Sequence, residues 1–420
     1  METSTTLLRI LDPHAAAFLI ERKALRMAEI EQSVAPMLED IRRRGDEAVQ
    51  EYARRFDAFD SHSFLVPAAE LEHAASQLSP AFRDAVEAAA RNIREYATEQ
   101  LPRPSMREFP GGRRLGQIVR PLSSMGAYIP AGRYPLPSTL LMTVIPEQTA
   151  GVPTICVCCP KPSAEILGAA HLLGVTHVFR IGGAQAIGAL AFGTATVPKV
   201  DRIVGPGNIY VAAAKKLVAG ETGIDFVAGP TEVVIIAAGA DPRHLAADLL
   251  AQAEHDVEAS SILLTTSRSL AEATAREVER QLETLPTAEV ARASIRDHGA
   301  CLVTNSLEEA VDISNRLAPE HLSLHHPELL PHIQNAGSVF LGPFSPEAAG
   351  DYASGPNHVL PTAGAARLRG GLSAADFVKV VSVQELTPEG LAALAPSITT
   401  LARAEGLEAH ARSVEVRLGR

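Results

Sequence analysis

From about residue 118 onward, short apolar runs alternate with helix-length segments almost without pause, and that rhythm limits the folds open to the chain. TICVCC is followed by SAEILGAAHLLG, THVFRIG by GAQAIGALAFG, and VDRIVG by NIYVAAAKKLVAG; IDFVAG and EVVIIAAG are further apolar runs. A second series begins after Asp241, with HLAADLLAQAEH, SSILLTTS, SLAEATAREVERQLETL, ACLVTN, LEEAVDISNRLAPEH and SVFLG. Short apolar runs rich in β-branched residues suit strands buried on both faces, and the segments between them suit covering helices. Strand–helix–strand units in series connect right-handedly and build parallel sheets. The expected fold is therefore α/β: two doubly wound, incomplete Rossmann-like parallel-sheet domains, one over 125–237 and one over 238–372.

The flanks read differently. Residues 1–124 form an α-helical lead-in, expected to pack with the second α/β unit. Within it MLEDIRRRGDEAVQEYARRFD sets Met37, Leu38, Ile41, Val49 and Tyr52 near one helical stripe broken by Gly45. PAFRDAVEAAARNIREYATEQL is a second amphipathic helix, closed by Pro102. Residues 373–420 read as a short helical tail, helix–loop–helix in character and too small for its own core. Its expected place is against another surface, such as a partner subunit.

Composition narrows the function class. The net charge is −11, there is no Trp and aromatics are only 4%, which argues against nucleic-acid binding by a basic face or by stacked rings. Three of the four cysteines (Cys156, Cys158, Cys159, with Cys301 apart) sit in one apolar run. They suit small core hydrophobes in a reducing compartment rather than a disulfide framework. METSTTLLRILDPH lacks the basic start and apolar core of a signal peptide, and no uncharged run nears the ~20 residues that span a bilayer. A cytoplasmic enzyme that binds neither nucleic acid nor membrane is expected.

Several segments could carry chemistry. Gly182-Gly183-Ala184-Gln185 and Gly205-Pro206-Gly207-Asn208 each follow an apolar run and open a helix. Helix N-termini at the carboxyl ends of such strands bind anions, and the amides of Gln185 and Asn208 could reach a dinucleotide. Neither matches GxGxxG, and ordinary tight turns would read the same. The loop 126–138 holds three prolines and two glycines and displays Tyr128, Arg133 and Tyr134. Such a stiff loop serves either binding or interdomain connection. Gln252 and His255, three apart at a helix end, could face one metal or form a buried bonded pair. Asp351 and His358 share a polar, glycine-bounded segment that is either a ligand loop or a surface turn. Glu320 beside His321 offers a carboxylate and an imidazole for proton transfer, although helix-end Glu–His pairs also arise by chance. By default His410 in the tail is an exposed histidine.

Taken in order, GAYIPAGRYPLPSTLLM, IGGAQAIGALAFGT, VDRIVGPGNIYVAAAKKLV, IDFVAGPTEV, LAQAEH, NRLAPEHL, SPEAAGDYASGPNHVLPT and EGLEAHA resemble the histidinol dehydrogenase family over nearly the whole chain. The resemblance implies a four-electron oxidation of L-histidinol to L-histidine through the aldehyde, using NAD and one Zn2+ per subunit. By motif position the zinc ligands are Gln252, His255, Asp351 and His410, the last supplied by the neighbouring subunit of a homodimer. Glu320 and His321 fall on the catalytic pair, and Tyr128, Gln185 and Asn208 on the NAD contacts. Substrate, a small amino alcohol, would meet Thr231, His358 and Glu405 together with the ligands and His321. Two positions depart from the family pattern: Thr231 stands where Ser is usual, and Ala131 where Gly is usual. Thr keeps the hydroxyl. The alternatives are a related zinc and NAD dehydrogenase of another small polar primary alcohol, and a catalytically silent relative that binds metal and nucleotide.

Overall fold

The apolar runs become the strands of two parallel sheets. The computed structural model describes residues 6–419 apart from 17, 18, 20–26, 60, 62, 133 and 228, so Arg133 lies outside the described residues. In chain order the strands are β1 (Arg9–Leu11), β2 (Ser105–Phe109), β3 (Arg113–Pro121), β4 (Ser124–Tyr128), β5 (Thr154–Cys158), β6 (His177–Phe179), β7 (Arg202–Val204), β8 (Gly223–Ile224), β9 (Glu232–Ile236), β10 (Ser260–Thr265), β11 (Ala300–Val303), β12 (His321–Leu324), β13 (Ser338–Leu341) and β14 (Val378–Leu386). One parallel sheet runs β6-β5-β4-β7-β8 and the other β1-β11-β10-β9-β12-β13. Strand order reverses between β4 and β7 in the first and between β9 and β12 in the second, as in doubly wound folds.

Both faces of each sheet are buried, as the unbroken apolar runs require. Along β5, Cys156 and Cys158 join one core cluster while Val157 joins the other. Along β9, Val233 and Ile235 face one cluster, and Val234 and Ile236 the opposite one. Each such side chain contributes about 1.5–3 kcal/mol by leaving water. All four cysteines are free and buried. Among the described residues, no helix is long and apolar enough to cross a membrane.

The lead-in packs mainly on the first unit, not on the second as expected. The helix Met27–Arg44 lies against Gly183–Phe192 and Ile209–Val218, Ala68–Gln77 against Ala164–Leu172, and Pro80–Glu99 against Pro137–Thr149. The reason is where the apolar stripes find cover. Val34, Leu38 and Ile41 close the cluster around Ile187, Leu190 and Val211, and Val86, Ala89 and Ile93 join Leu140 and Val144. The helix break at Gly45 falls where expected, with φ 58°. Among the described residues the start of the lead-in does meet the second unit as expected: β1 adds a parallel edge beside β11, and Leu8, Ala16 and Leu19 join that unit's core clusters.

The tail is not purely helical. After the short 3-10 helix Ala374–Phe377 comes the nine-residue strand β14, which pairs antiparallel with β3 from Val378↔Pro121 to Leu386↔Arg113, while β2 lines the other side of β3. This three-stranded ribbon is largely exposed. The helices Pro388–Ala404 and Glu408–Glu415 follow, packed on each other.

Candidate active site

The reversal between β4 and β7 opens a crevice at the carboxyl ends of the first sheet, the usual place for a ligand in such a sheet. Tyr128 ends β4 and the Gly205–Asn208 turn follows β7. Tyr128 is buried, and its hydroxyl accepts from Gly183 N at 3.0 Å. Burial raises its pKa, so the phenol stays protonated. Gln185 is buried in the first turn of its helix, and its amide donates to Asp57 Oδ2 at 3.0 Å. Asp57 also accepts from Gly182 N at 3.1 Å. The helix N-terminus that could have taken a phosphate is thus occupied by a carboxylate from the lead-in. Asn208 is exposed; its Oδ1 caps the next helix by accepting from Tyr210 N at 3.0 Å and Val211 N at 3.1 Å. What remains of it for a ligand is the amide NH2.

The second group of candidates gathers at the amino ends of β9 and β12, opposite to where strand-end rules would look. Glu320 immediately precedes β12 and Thr231 precedes β9, and adjacent register brings them together. Glu320 Oε2 accepts from Thr231 Oγ1 at 2.5 Å and from Glu232 N at 2.9 Å. Burial pushes the Glu320 carboxyl up to about 7, against the opposing pull of His321 and those two donors. His321 Nδ1 lies 3.3 Å from Glu232 O, and a carbonyl only accepts, so Nδ1 carries a proton. Its Nε2 is buried without a hydrogen bond, 3.5 Å from Asp351 Oδ1. Burial opposes charge on His321, but Glu320 and Asp351 outweigh it and raise the imidazole to about 10.

The helix Glu347–Tyr352 carries Asp351 to this point. Burial works against the Asp351 charge, yet His321, His358 and His255 together hold it below its ordinary value. His358 Nδ1 donates to Asp351 O at 2.8 Å, which fixes the tautomer. Its Nε2 is then left to accept from Thr139 Oγ1 of the first unit at 3.3 Å, so the cluster lies where the two units meet. The Thr231 hydroxyl has one proton. Given to Glu320, it leaves Oγ1 to accept from the Gln252 amide at 2.5 Å, and the Gln252 oxygen faces Glu347 Oε2 at 3.2 Å. Burial raises Glu347 well above its ordinary value, so its carboxyl can donate to that oxygen. The reversed amide would pair with Glu232 N at 3.3 Å but would ask one threonine proton to serve two acceptors.

For a divalent cation the chemistry of this donor set fits. His255 is exposed at its helix end, though desolvation of its imidazole lowers its pKa; the neighbouring histidines hold Asp351 below its ordinary value, and Gln252 offers an amide oxygen. His321 Nε2, buried and unbonded, faces the same space. Yet no group of three or more His, Cys, Asp or Glu side chains among the described residues is arranged to hold a metal.

Glu405 and His410 stay apart from this cluster. Both are exposed on the tail, where the His410 N–H donates to Leu407 O at 3.0 Å and its carbonyl accepts from Ser413 Oγ at 2.7 Å. Glu347, Glu232 and Asp57 are the acids that sequence reasoning missed. Each sits in a helix or strand pattern that gives no hint of its burial, and only PEAAGDY, with a Glu four residues before Asp351, could have drawn attention to Glu347.

A sequence model described as "Histidinol dehydrogenase" matches residues 20–418. The histidinol dehydrogenase of Geobacter sulfurreducens is 49% identical over 401 residues, 93% of this chain and 94% of that protein. That of Methanothermobacter thermautotrophicus is 47% identical over 410 residues, 95% and 96% of the two chains. The crystal structure of histidinol dehydrogenase from Elizabethkingia anophelis matches with a TM-score of 0.95 at 38% identity, covering 99% of each chain. With fold, motif order and whole-length similarity in agreement, this chain belongs to the histidinol dehydrogenase family.

Proposed function

We propose that the protein oxidises L-histidinol to L-histidine through the aldehyde, passing two hydrides to NAD at the end of histidine biosynthesis, as a zinc-dependent homodimer. The observation that carries this reading is the buried Glu320–His321 pair, with Thr231, Gln252 and Asp351 converging on it, in a chain of this family. The free, buried thiols agree with a reducing compartment such as the cytoplasm.

Gln252, His255 and Asp351 would hold zinc together with His410 of the partner subunit, and Tyr128, Gln185 and Asn208 would line the dinucleotide. When bound, zinc supplies an anchor for the nitrogen donors of the substrate and NAD supplies the hydride acceptor. His358, with its tautomer fixed, and Glu405 of the partner subunit would orient the amino alcohol.

His321 Nε2 takes the alcohol proton as the first hydride leaves the carbinol carbon, giving the aldehyde. Its raised pKa comes from the Glu320 charge first and from Asp351 and Glu347 besides, so holding a cation at Asp351 would remove part of that pull. Glu320 then removes a proton from water as its oxygen adds to the aldehyde carbon. The resulting gem-diol loses the second hydride and a proton to become the carboxylic acid. A carboxyl near 7 is suited to this, being basic enough to take the proton and ionised enough to be available.

A second reading is favoured by one position. Thr231 places a methyl group beside Glu320 and Gln252 where the family usually has Ser, so a differently shaped primary alcohol could fit better. A panel of primary amino alcohols with purified protein, zinc and NAD separates the two. L-Histidinol is expected to give the highest kcat/KM, with activity lost on chelation and restored by zinc. Faster turnover of another alcohol moves the assignment to that substrate, and no NAD reduction with any of them contradicts both.

A further inference from the structure

The turn that carries Asn208 is held from beneath by buried charge. Lys215, in the second turn of the helix Ile209–Val218, and Asp225, just after β8, form an ion pair whose side chains are 2% and 0% exposed. Both backbone polar groups of Gly205 are bonded to it. The Gly205 N–H donates to Asp225 Oδ2 at 2.8 Å, and its carbonyl accepts from Lys215 Nζ at 3.1 Å. Asp225 Oδ1 also accepts from Phe226 N at 2.7 Å. Gly205 has φ 110°, and a Cβ there would stand 2.2 Å from the Tyr128 carbonyl oxygen. The same residue therefore sets how closely the Asn208 turn packs on Tyr128.

A buried ion pair is a poor device for stability alone, because well-packed apolar side chains of similar size usually do as well or better. Apolar neighbours are plentiful here: Val204, Val211 and Ala214 are fully buried. What apolar side chains cannot do is fix the N–H and C=O of one residue in a conformation that only glycine adopts readily. The clamp also reaches the chain that leads to the tail. Arg369 donates to the Asp225 carbonyl at 2.8 Å and to Asp376 Oδ2 at 2.6 Å, and Arg202 bonds the Asp376 carbonyl.

We propose that the Lys215–Asp225 pair is a positioning device for the dinucleotide: by clamping both backbone groups of Gly205 it sets the place of Asn208 against Tyr128 at the first sheet's crevice. This rests on the reading that NAD binds at Asn208 and Tyr128. The pair itself touches neither cofactor nor substrate.

The test uses the full-length protein carrying Lys215→Met with Asp225→Leu, and separately the shape-preserving Asp225→Asn. The expected result is a rise of about tenfold or more in KM for NAD, matched by weaker NADH binding in a fluorescence titration. Histidinol KM and kcat at saturating NAD should stay within about twofold, a split that a general loss of structure would not produce. Unchanged KM for NAD in a folded double variant overturns the proposal. Failure of both variants to fold also overturns it, since the pair would then serve stability. Asn208→Ala, measured alongside, keeps the two ideas apart. If it leaves KM for NAD unchanged while the pair variants raise it, the reading of Asn208 as an NAD contact fails, and with it the route through Asn208 by which the pair is proposed to act. If it raises KM and the pair variants do not, the clamp alone fails.

Discussion

Glu320→Gln should lower kcat for histidinol by about 10²- to 10⁴-fold, the range for removing a positioned general base. The substitution keeps the shape and removes the charge. In the native site Glu320 Oε2 accepts from both Thr231 Oγ1 and Glu232 N, and an amide that turns its NH2 toward either donor leaves that group unpaired. Aldehyde formation, which depends on His321, should suffer less than aldehyde hydration. Single-turnover kinetics should therefore find the second NADH delayed more than the first. The pH profile gives an independent reading. Burial raises Glu320 to about 7, and the base works ionised, so wild-type kcat/KM should climb as pH rises through about 7. In Glu320→Gln that limb should disappear. The sign for stability is the opposite. A carboxyl raised from 4.5 in the fold keeps a proton that the unfolded chain gives up, so its contribution is present below 4.5 and is lost as pH rises through about 7. An unaltered profile in the glutamine variant would remove Glu320 from the role of base.

His410→Ala should abolish zinc retention and lower activity by about 10²-fold or more, while the thermal midpoint stays close to that of zinc-free wild type. The imidazole is exposed on the tail, and exposed substitutions away from packed contacts change stability by only about 0.5 kcal/mol. The informative form of this experiment mixes two inactive proteins. In a site shared between subunits, a chain with His410→Ala and a chain with Glu320→Gln combine into a dimer with one intact site. Random assortment makes about half the dimers mixed, so about a quarter of wild-type activity should return. No recovery after subunit exchange, or full zinc content in His410→Ala, would rule out the tail as a ligand donor.

Much of the fold was legible in the sequence because sheets buried on both faces need unbroken apolar runs, and TICVCC, EVVIIAAG and SSILLTTS could hardly serve otherwise. What was not legible depended on which surface an apolar stripe would meet. Val34, Leu38 and Ile41 announce a buried face, but nothing in their spacing says that Ile187 and Leu190, about 150 residues on, will cover it. Likewise β14 pairs along an exposed ribbon, so its residues need no alternation with a buried face, and VKVVSVQEL blends into the helical tail.

The candidate site was legible in a different way. Bare residue chemistry left every segment open, with Gln252 and His255 as compatible with a bonded pair as with a metal. The ordered motif set resolved which segments belong together. The fold adds the reason they can meet: Thr231 and Glu320 lie on adjacent strands in register, and Asp351 is delivered by a short helix after β13. Burial stayed invisible. Glu347 and Asp57 look like surface acids, yet one faces Gln252 and the other fills a helix N-terminus that could have taken an anion.

The most direct measurement is an end-point count with limiting L-histidinol, excess NAD, zinc and the purified full-length chain. Two NADH and one histidine for each histidinol consumed are expected, because the same site removes both hydrides before releasing product. One NADH with accumulated aldehyde, or no NADH from folded, zinc-loaded protein, would contradict the assignment.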